Sequence, residues 1–354
     1  MRIGIFLNTP AQVHFYGNII KELKKRGHET FLLARNYGET LDLLKESNTP
    51  YYQYSRPPAS KYGKMCRLPF DIFKAFAYLK KCDVDLVTGF GAYDAYTAAL
   101  LKVPSIVFTD SEFTVNTTSY TIQYRLTEPF INVVITPESF RQDLGPKHVR
   151  VRSFKELAYL HPRYYTPDNS VYELLNIPEG DDYAVLRFNA FDAVHDLGIN
   201  GFDSNAKIRL VDALREYGHV FISVEGSLPS ALKPYVLNIP KKRIHDVLYY
   251  AKLLVTDTQT MATEAALLGT PTIRCNEFVG NNDMSNFIEL EQKYRLMYNF
   301  AAPIESMQKA TELIQQDGLK EEWRARREKL LAEKVNITDY MVSFFERYFD
   351  TMET

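Results

Sequence analysis

The chain has 354 residues and a net charge of −2, long enough for two ordinary domains and too nearly neutral for global attraction to nucleic acid or an anionic membrane. Its 45% hydrophobic and 24% charged residues exclude a disordered chain, and no apolar run approaches the roughly 20 residues of a membrane helix. Cys66, Cys82 and Cys275 form no C-x-x-C pair, which argues against a thiolate metal site and fits free thiols in a reducing cytoplasm.

After Arg2, the apolar run Ile3–Leu7 is too short for a signal-peptide core and reads as a buried strand. From there, short β-branched runs alternate with helix-period segments, the pattern of parallel βαβ units. Strands are expected in the first half at Ile3–Leu7, Thr30–Ala34, Tyr51–Tyr54, Leu86–Thr88, Ser105–Thr109 and Val133–Thr136. Helices fill most of the gaps, for example Tyr16–Arg26, stopped by Gly27. Leu160–Asp168, with Pro162 and Pro167, reads as a linker. The second half repeats the pattern, with strands at Tyr183–Phe188, Val220–Val224, Tyr235–Ile239, Leu253–Thr256, Thr272–Cys275 and Arg295–Tyr298. Glu321–Lys334 reads as a charged, solvated helix. Asp339–Phe349 places Tyr340, Phe344, Phe345, Tyr348 and Phe349 at helical spacing, an aromatic face expected to pack on one of the domains. The expected architecture is α/β, with Rossmann-like doubly wound domains over residues 1–160 and 161–336 facing a cleft, and a final helix over 337–354.

Ligands of such sheets bind beyond the carboxyl ends of the strands, so candidate residues are sought in the loops that follow strands. The first loop, Asn8-Thr-Pro-Ala-Gln-Val-His14, lacks G-x-G-x-x-G, which argues against a dinucleotide cofactor. Thr9, Pro10 and Gln12 make a helix start there instead, with His14 in the first or second turn, a structural residue or one with a catalytic or ligand role. After the fifth strand come Asp110 and Glu112, one to cap a helix and the other to act as a base.

Arg187 lies inside the strand Tyr183–Phe188. The polar loop that follows holds Asp192, His195 and Asp196, suited to diphosphate or sugar recognition. Glu225-Gly226 ends the next strand, and Arg243-Ile244-His245-Asp246 opens a helix.

The strongest segment is Leu253–Pro271, which runs strand, loop, helix, Gly stop and Pro. Asp257, Thr258, Gln259 and Thr260 sit at a helix N-terminus, where unpaired N–H groups and the dipole favour a phosphate. Glu264, four residues after Thr260, lies on the same face, where its carboxylate suits the hydroxyls of a ribose. The alternative is ordinary capping, with Glu264 exposed.

Between Ser55 and Lys81 stand Arg56, Lys61, Lys64, Arg67, Lys74, Lys80 and Lys81 against the single acid Asp71, with Tyr62, Phe70, Phe73, Phe76 and Tyr78 among them. This is either a solvated basic helix face or a docking surface for an anionic or lipid-linked acceptor.

The two-half layout and the string D-x-x-T-x-x-x-E-A-x-x-x-G-x-P from Asp257 to Pro271 resemble the GT-B fold of nucleotide-sugar glycosyltransferases and of non-hydrolysing UDP-N-acetylglucosamine 2-epimerases. Thr9–His14, Lys155–Pro162 and Ile244–Ala251 resemble an uncharacterised, largely archaeal GT-B-like family of unknown function. The resemblance implies that Glu264 holds the ribose, that Thr258–Thr260 hold the diphosphate and that the backbone at Ile244 reads the base. It implies that His14 matches the N-terminal base of many GT-B transferases, and that the last helix crosses back onto the first domain.

Phe108–Glu112, Thr136-Pro-Glu138 and Arg125-Leu-Thr-Glu128 are similar to stretches of the epimerases. The acidic pair that precedes this arginine there stands here as Tyr120 and Thr121, which weakens the epimerase reading. The expected activity is metal-independent glycosyl transfer from a UDP-sugar, with no cofactor, in the cytoplasm or peripheral to the membrane. A UDP-N-acetylhexosamine 2-epimerase and a non-catalytic nucleotide-sugar binding protein are the alternatives.

Overall fold

The computed structural model describes every residue except 57–60, 113–116, 189–201, 225–227, 278, 281–282 and 354, with the backbone alone at 61–66, 117–120 and 352–353. It divides into two compact units, Met1–Tyr164 with Lys334–Thr354, and Tyr165–Glu333.

The first unit is built on β1 (Arg2–Leu7), β2 (Glu29–Arg35), β3 (Tyr52–Ser55), β4 (Leu86–Gly89), β5 (Ser105–Phe108), β6 (Val133–Pro137) and β7 (His148–Val151). They form one sheet in the order β3-β2-β1-β4-β5-β6-β7, and every pairing is parallel. Strands such as β5 and β6 are buried along their whole length, which is why they read as continuous apolar runs rather than alternating ones. β7, with the polar His148 and Arg150 at two of its four positions and only Val151 buried, gives no such continuous run and is an addition to the expected set.

Right-handed crossovers put the helices Lys61–Cys82, Ala92–Leu101 and Thr117–Thr127 on one face of the sheet. Leu79, Ala75 and Ala98 from that layer pack with Phe6, Leu33, Tyr54 and Val87. The opposite face carries the helix Pro10–Lys25, which begins six residues earlier than Tyr16 because Pro10 occupies its first turn. Phe15, Tyr16, Ile19 and Leu23 of this helix are fully buried.

The last helix, Ile337–Glu353, packs on Pro10–Lys25 within this unit. Its buried row is Ile337, Met341, Val342 and Phe345, each worth about 1.5–3 kcal/mol when fully buried. The expected aromatic face is therefore corrected. Tyr340, Phe344 and Tyr348 stack along a neighbouring, half-buried row, with centroids 6.0 and 6.3 Å apart. Glu346 pins the helix through Arg26 at 2.7 Å and His28 at 3.0 Å.

The second unit has β8 (Tyr183–Phe188), β9 (His219–Val224), β10 (Leu253–Thr256), β11 (Thr272–Cys275) and β12 (Met297–Phe300), in the parallel order β12-β11-β10-β8-β9. Three expectations are corrected here. Tyr235–Ile239 is no strand: a 3₁₀ helix, Ser230–Tyr235, leaves only a bridge between Ile222 and Val236, in a stretch where Pro229, Pro234 and Pro240 lack the N–H a ladder needs. β12 begins two residues late, because Arg295 takes the left-handed conformation (φ 54°) after a π-helical turn. The helix Leu319–Glu333 is not wholly solvated. Trp323 is buried and donates its indole N–H to the Leu296 carbonyl at 2.8 Å, and Arg327 Nε donates to the Leu267 carbonyl at 2.8 Å. Arg327 lies against Gly269, which takes a φ of 80° and where an added Cβ would come within 2.9 Å of Arg327 Cδ.

Candidate functional site

In the second sheet the strand order reverses between β8 and β10, and ligands of doubly wound sheets bind at the carboxyl ends on either side of such a reversal. Leu253–Thr256 ends at this place. Asp257 follows, then the helix Gln259–Leu268, with Thr258 extended at its N-cap position (φ −95°, ψ 151°).

Thr258 does not cap the helix with its side chain. Its hydroxyl is 2.8 Å from the Thr256 hydroxyl, which also accepts from the Thr258 N–H at 2.9 Å. The first-turn donors of this helix thus get no bond from the Thr258 side chain, and Thr260 is exposed beside them. Such a terminus attracts an anion. Asp257 is buried, its N–H bonded to the Arg187 carbonyl at 3.3 Å and its own carbonyl accepting from Asn276 at 3.4 Å. Arg187, at the end of β8, donates to the Ser223 hydroxyl at 2.9 Å.

Glu264 is only 8% exposed, so the alternative in which it merely decorates a surface helix is set aside. Its Oε1 lies 3.2 Å from Nε2 of His245, a residue of the helix Ile244–Tyr250 that packs against Gln259–Leu268. Burial pushes the His245 pKa down, but the Glu264 charge, their hydrogen bond and Asp246 outweigh it, and the net shift is upward. The charged imidazolium is thus favoured more strongly beside Glu264 than in a free histidine. Beneath it, Asp246 gathers Arg243 Nε at 2.6 Å, Tyr165 Oη at 2.8 Å and the Asp168 N–H at 3.1 Å, fixing the start of the helix where Ile244 stands. Asp192, His195, Asp196, Glu225 and Gly226 lie outside the described residues.

In the first sheet the order reverses between β1 and β4. After β1, Gln12 Oε1 accepts from the Asn8 N–H at 2.7 Å, one residue before Thr9, and Thr9 makes no side-chain cap, so the reciprocal capping expected of Thr9 and Gln12 does not form. His14 is half-buried in the second turn, its ring 5.2 Å from that of Tyr159. After β4, Gly91 donates its N–H to both oxygens of Asp94, at 3.0 and 3.2 Å. Asp94 lies so close under the strand end that a Cβ on Gly89 would meet its Cγ at 2.6 Å. This carboxyl has no exposure, and burial pushes its pKa up to about 7 against the N–H bonds.

Asp110 accepts from Lys155 Nζ, which also lies 3.4 Å from Glu156. Burial lowers the Lys155 pKa, but the two carboxylates raise it further, keeping the ammonium charged. Glu112 is buried and accepts from the Arg141 N–H at 2.6 Å, which ties two loops together. Spacing alone does not point to Lys155 as Asp110's partner, because the two lie 45 positions apart. The same holds for Asp94, which reads as an ordinary helix-start acid. Among the described residues there is no group of three or more His, Cys, Asp or Glu that could hold a metal, and no helix long and apolar enough to cross a membrane.

Comparison with known proteins places the chain. A family model described as "Protein of unknown function (DUF354)" matches residues 1–296. An N-acetylglucosamine transferase of Acinetobacter baumannii (strain SDF), acting on N-acetylmuramyl-(pentapeptide) pyrophosphoryl-undecaprenol, is 34% identical over 99 residues, 25% of this chain. The match spans only 27% of that relative's length. Among solved structures, the S. aureus MnaA–UDP co-structure aligns over 99% of this chain and 97% of its own, with a TM-score of 0.71 and 10% identity. The Streptomyces sp. SF2575 glycosyltransferase SsfS6 with thymidine diphosphate covers 98% and 99%, at a TM-score of 0.61 and 14% identity. The UDP-GlcNAc 2-epimerase of Methanocaldococcus jannaschii covers 90% and 94%, at 0.64 and 15%. These likenesses show a GT-B-type α/β fold.

Proposed function

We propose, for a chain that belongs to the DUF354 family of proteins of unknown function, that it transfers a sugar from a UDP-sugar to an acceptor hydroxyl without a metal. The observation that carries this reading is the pairing, at one strand-order reversal, of a helix N-terminus with a buried carboxylate one turn further in. Thr258–Thr260 and the dipole of Gln259–Leu268 favour a diphosphate and hold the charge that grows on it as the glycosidic bond breaks. Glu264 accepts hydrogen bonds from the ribose hydroxyls. The His245–Glu264 contact holds that carboxylate in place, and the backbone at Ile244, fixed by Asp246 and Arg243, meets the base. Arg187 and Asp257 line the same strand ends.

His14 is assigned as the base that takes the acceptor proton, as the sugar carbon bonds to the acceptor oxygen and releases UDP. His14 stands where the resemblance to GT-B transferases puts the N-terminal base; Asp110 and Glu112, which accept from Lys155 and from the Arg141 N–H, are the alternative bases. Co-structures with UDP or thymidine diphosphate among the similar folds support a nucleotide-diphosphate donor. The epimerase fold keeps a 2-epimerase as the second reading.

Incubation with UDP-sugars tests this. Slow UDP release that accelerates with an acceptor supports transfer. An epimerised sugar without acceptor replaces that reading with the epimerase. Binding without turnover replaces both with a binding protein.

A further inference from the structure

The helix Lys61–Cys82 has two faces of different character. Inward it buries Asp71, Ile72, Ala75 and Leu79 against the sheet. Outward it carries Phe70 at 71% and Phe73 at 64% exposure, the two most exposed large apolar side chains among the described residues. Around them stand Arg67, half-buried, and Lys74, Lys80 and Lys81, all exposed. The one acid in the stretch, Asp71, is 2% exposed and accepts from the Ser55 hydroxyl at 2.6 Å, so it does not offset the outer cations.

The charge is local. Residues 55–81 hold seven cations against one acid, a balance of +6, and since the chain totals −2 the remainder carries −8. Phe73 and Phe76 lie with centroids 6.1 Å apart, and Lys80 Nζ reaches 5.4 Å from the Phe76 ring, an ammonium at the edge of an aromatic row. The neighbouring helices of the same layer add Leu100, Ile122, Leu126 and Phe130, each at least 43% exposed.

We propose that this outer face, from Arg67 to Lys81, docks the protein on an anionic lipid bilayer. Exposed Phe side chains enter the boundary between headgroups and acyl chains, while the lysines and Arg67 stay at the phosphates. A bilayer meets both features without a shaped partner. The inference stands on the surface of the first unit and does not depend on the sugar chemistry.

Flotation of the full chain with vesicles tests it. The protein is expected to float with phosphatidylcholine vesicles containing phosphatidylglycerol, to bind pure phosphatidylcholine at least about tenfold more weakly, and to be released by salt. Phe70→Ser with Phe73→Ser, and separately Lys74→Glu with Lys80→Glu and Lys81→Glu, are each expected to weaken binding about tenfold or more, with unchanged thermal midpoints. Absence of binding to the anionic vesicles, equal binding to both vesicle types, or variants that bind like wild type overturns the proposal. So does a wild-type dimer in sedimentation that the phenylalanine substitutions dissociate, which would assign the face to a second copy. If a variant fails to fold, the lipid and salt dependence of the wild type decides alone.

Discussion

Nε2 of His245 lies 3.2 Å from Oε1 of Glu264, across two packed helices, with 14% and 10% of their side chains exposed. A carboxylate held this way is pre-oriented, so binding a ligand there costs little side-chain ordering. Replacing Glu264 with Ala is therefore expected to weaken UDP binding by about 1–3 kcal/mol, the worth of hydrogen bonds to a charged acceptor. Isothermal calorimetry checks it, and unchanged affinity removes the ribose role.

The same pair sets a pH dependence. With its folded pKa raised above the ordinary value of about 6.5, His245 contributes stability that is full below that value and is lost as pH rises through the folded-state pKa. Urea denaturation from about pH 6 to pH 9 should show wild type losing more stability than His245→Gln. Parallel curves would mean that the imidazole is not charged in the fold.

Lys155 holds the loop after β5 through Asp110 and Glu156, with 13% of its side chain exposed. Lys155→Met leaves two shielded carboxylates without their cation, and a loss of about 3–5 kcal/mol is expected in urea denaturation. Adding Asp110→Asn should restore part of it. A near-neutral Lys155→Met would show that water takes over the cation's place.

Asp94 titrates in the opposite sense to a paired carboxylate. Its folded pKa is pushed up to about 7 from an ordinary 3.8, so the unfolded chain releases a proton that the fold retains. Stability from this group is full below the ordinary value and falls as pH rises to about 7, by roughly 4 kcal/mol at 1.36 kcal/mol per unit. Asp94→Asn should abolish this slope between about pH 4 and pH 7 and gain on wild type with rising pH. An identical slope in both proteins would show that another group carries it.

His14→Ala should lower turnover far more than UDP affinity, since a base acts on the acceptor rather than on the donor. Steady-state rates compared with calorimetric affinity check this, and a fully active variant excludes His14 as the base.

Most strands were legible because buried parallel strands are local objects: Tyr183–Phe188 and Leu253–Thr256 are short apolar runs, and their ends match the structure. The helix start at Gln259 was legible for the same reason, since an extended residue before a helix leaves free N–H groups wherever it occurs. β7 was not, because His148 and Arg150 leave its four residues without a continuous apolar run, only Val151 is buried, and pairing with β6 makes it a strand.

What the tertiary structure alone decided is every relation across long sequence separation. Strand order, and with it the two reversals, follows from crossovers that no window of sequence contains. The same is true of Lys155 on Asp110 and of His245 on Glu264. The last helix shows why most clearly. Ile337, Met341 and Phe345 form one apolar row at helical spacing, and Tyr340, Phe344 and Tyr348 another. Periodicity tells which residues share a row, but only the surface of Pro10–Lys25, through packing and through Arg26 and His28 on Glu346, selects the row that is buried.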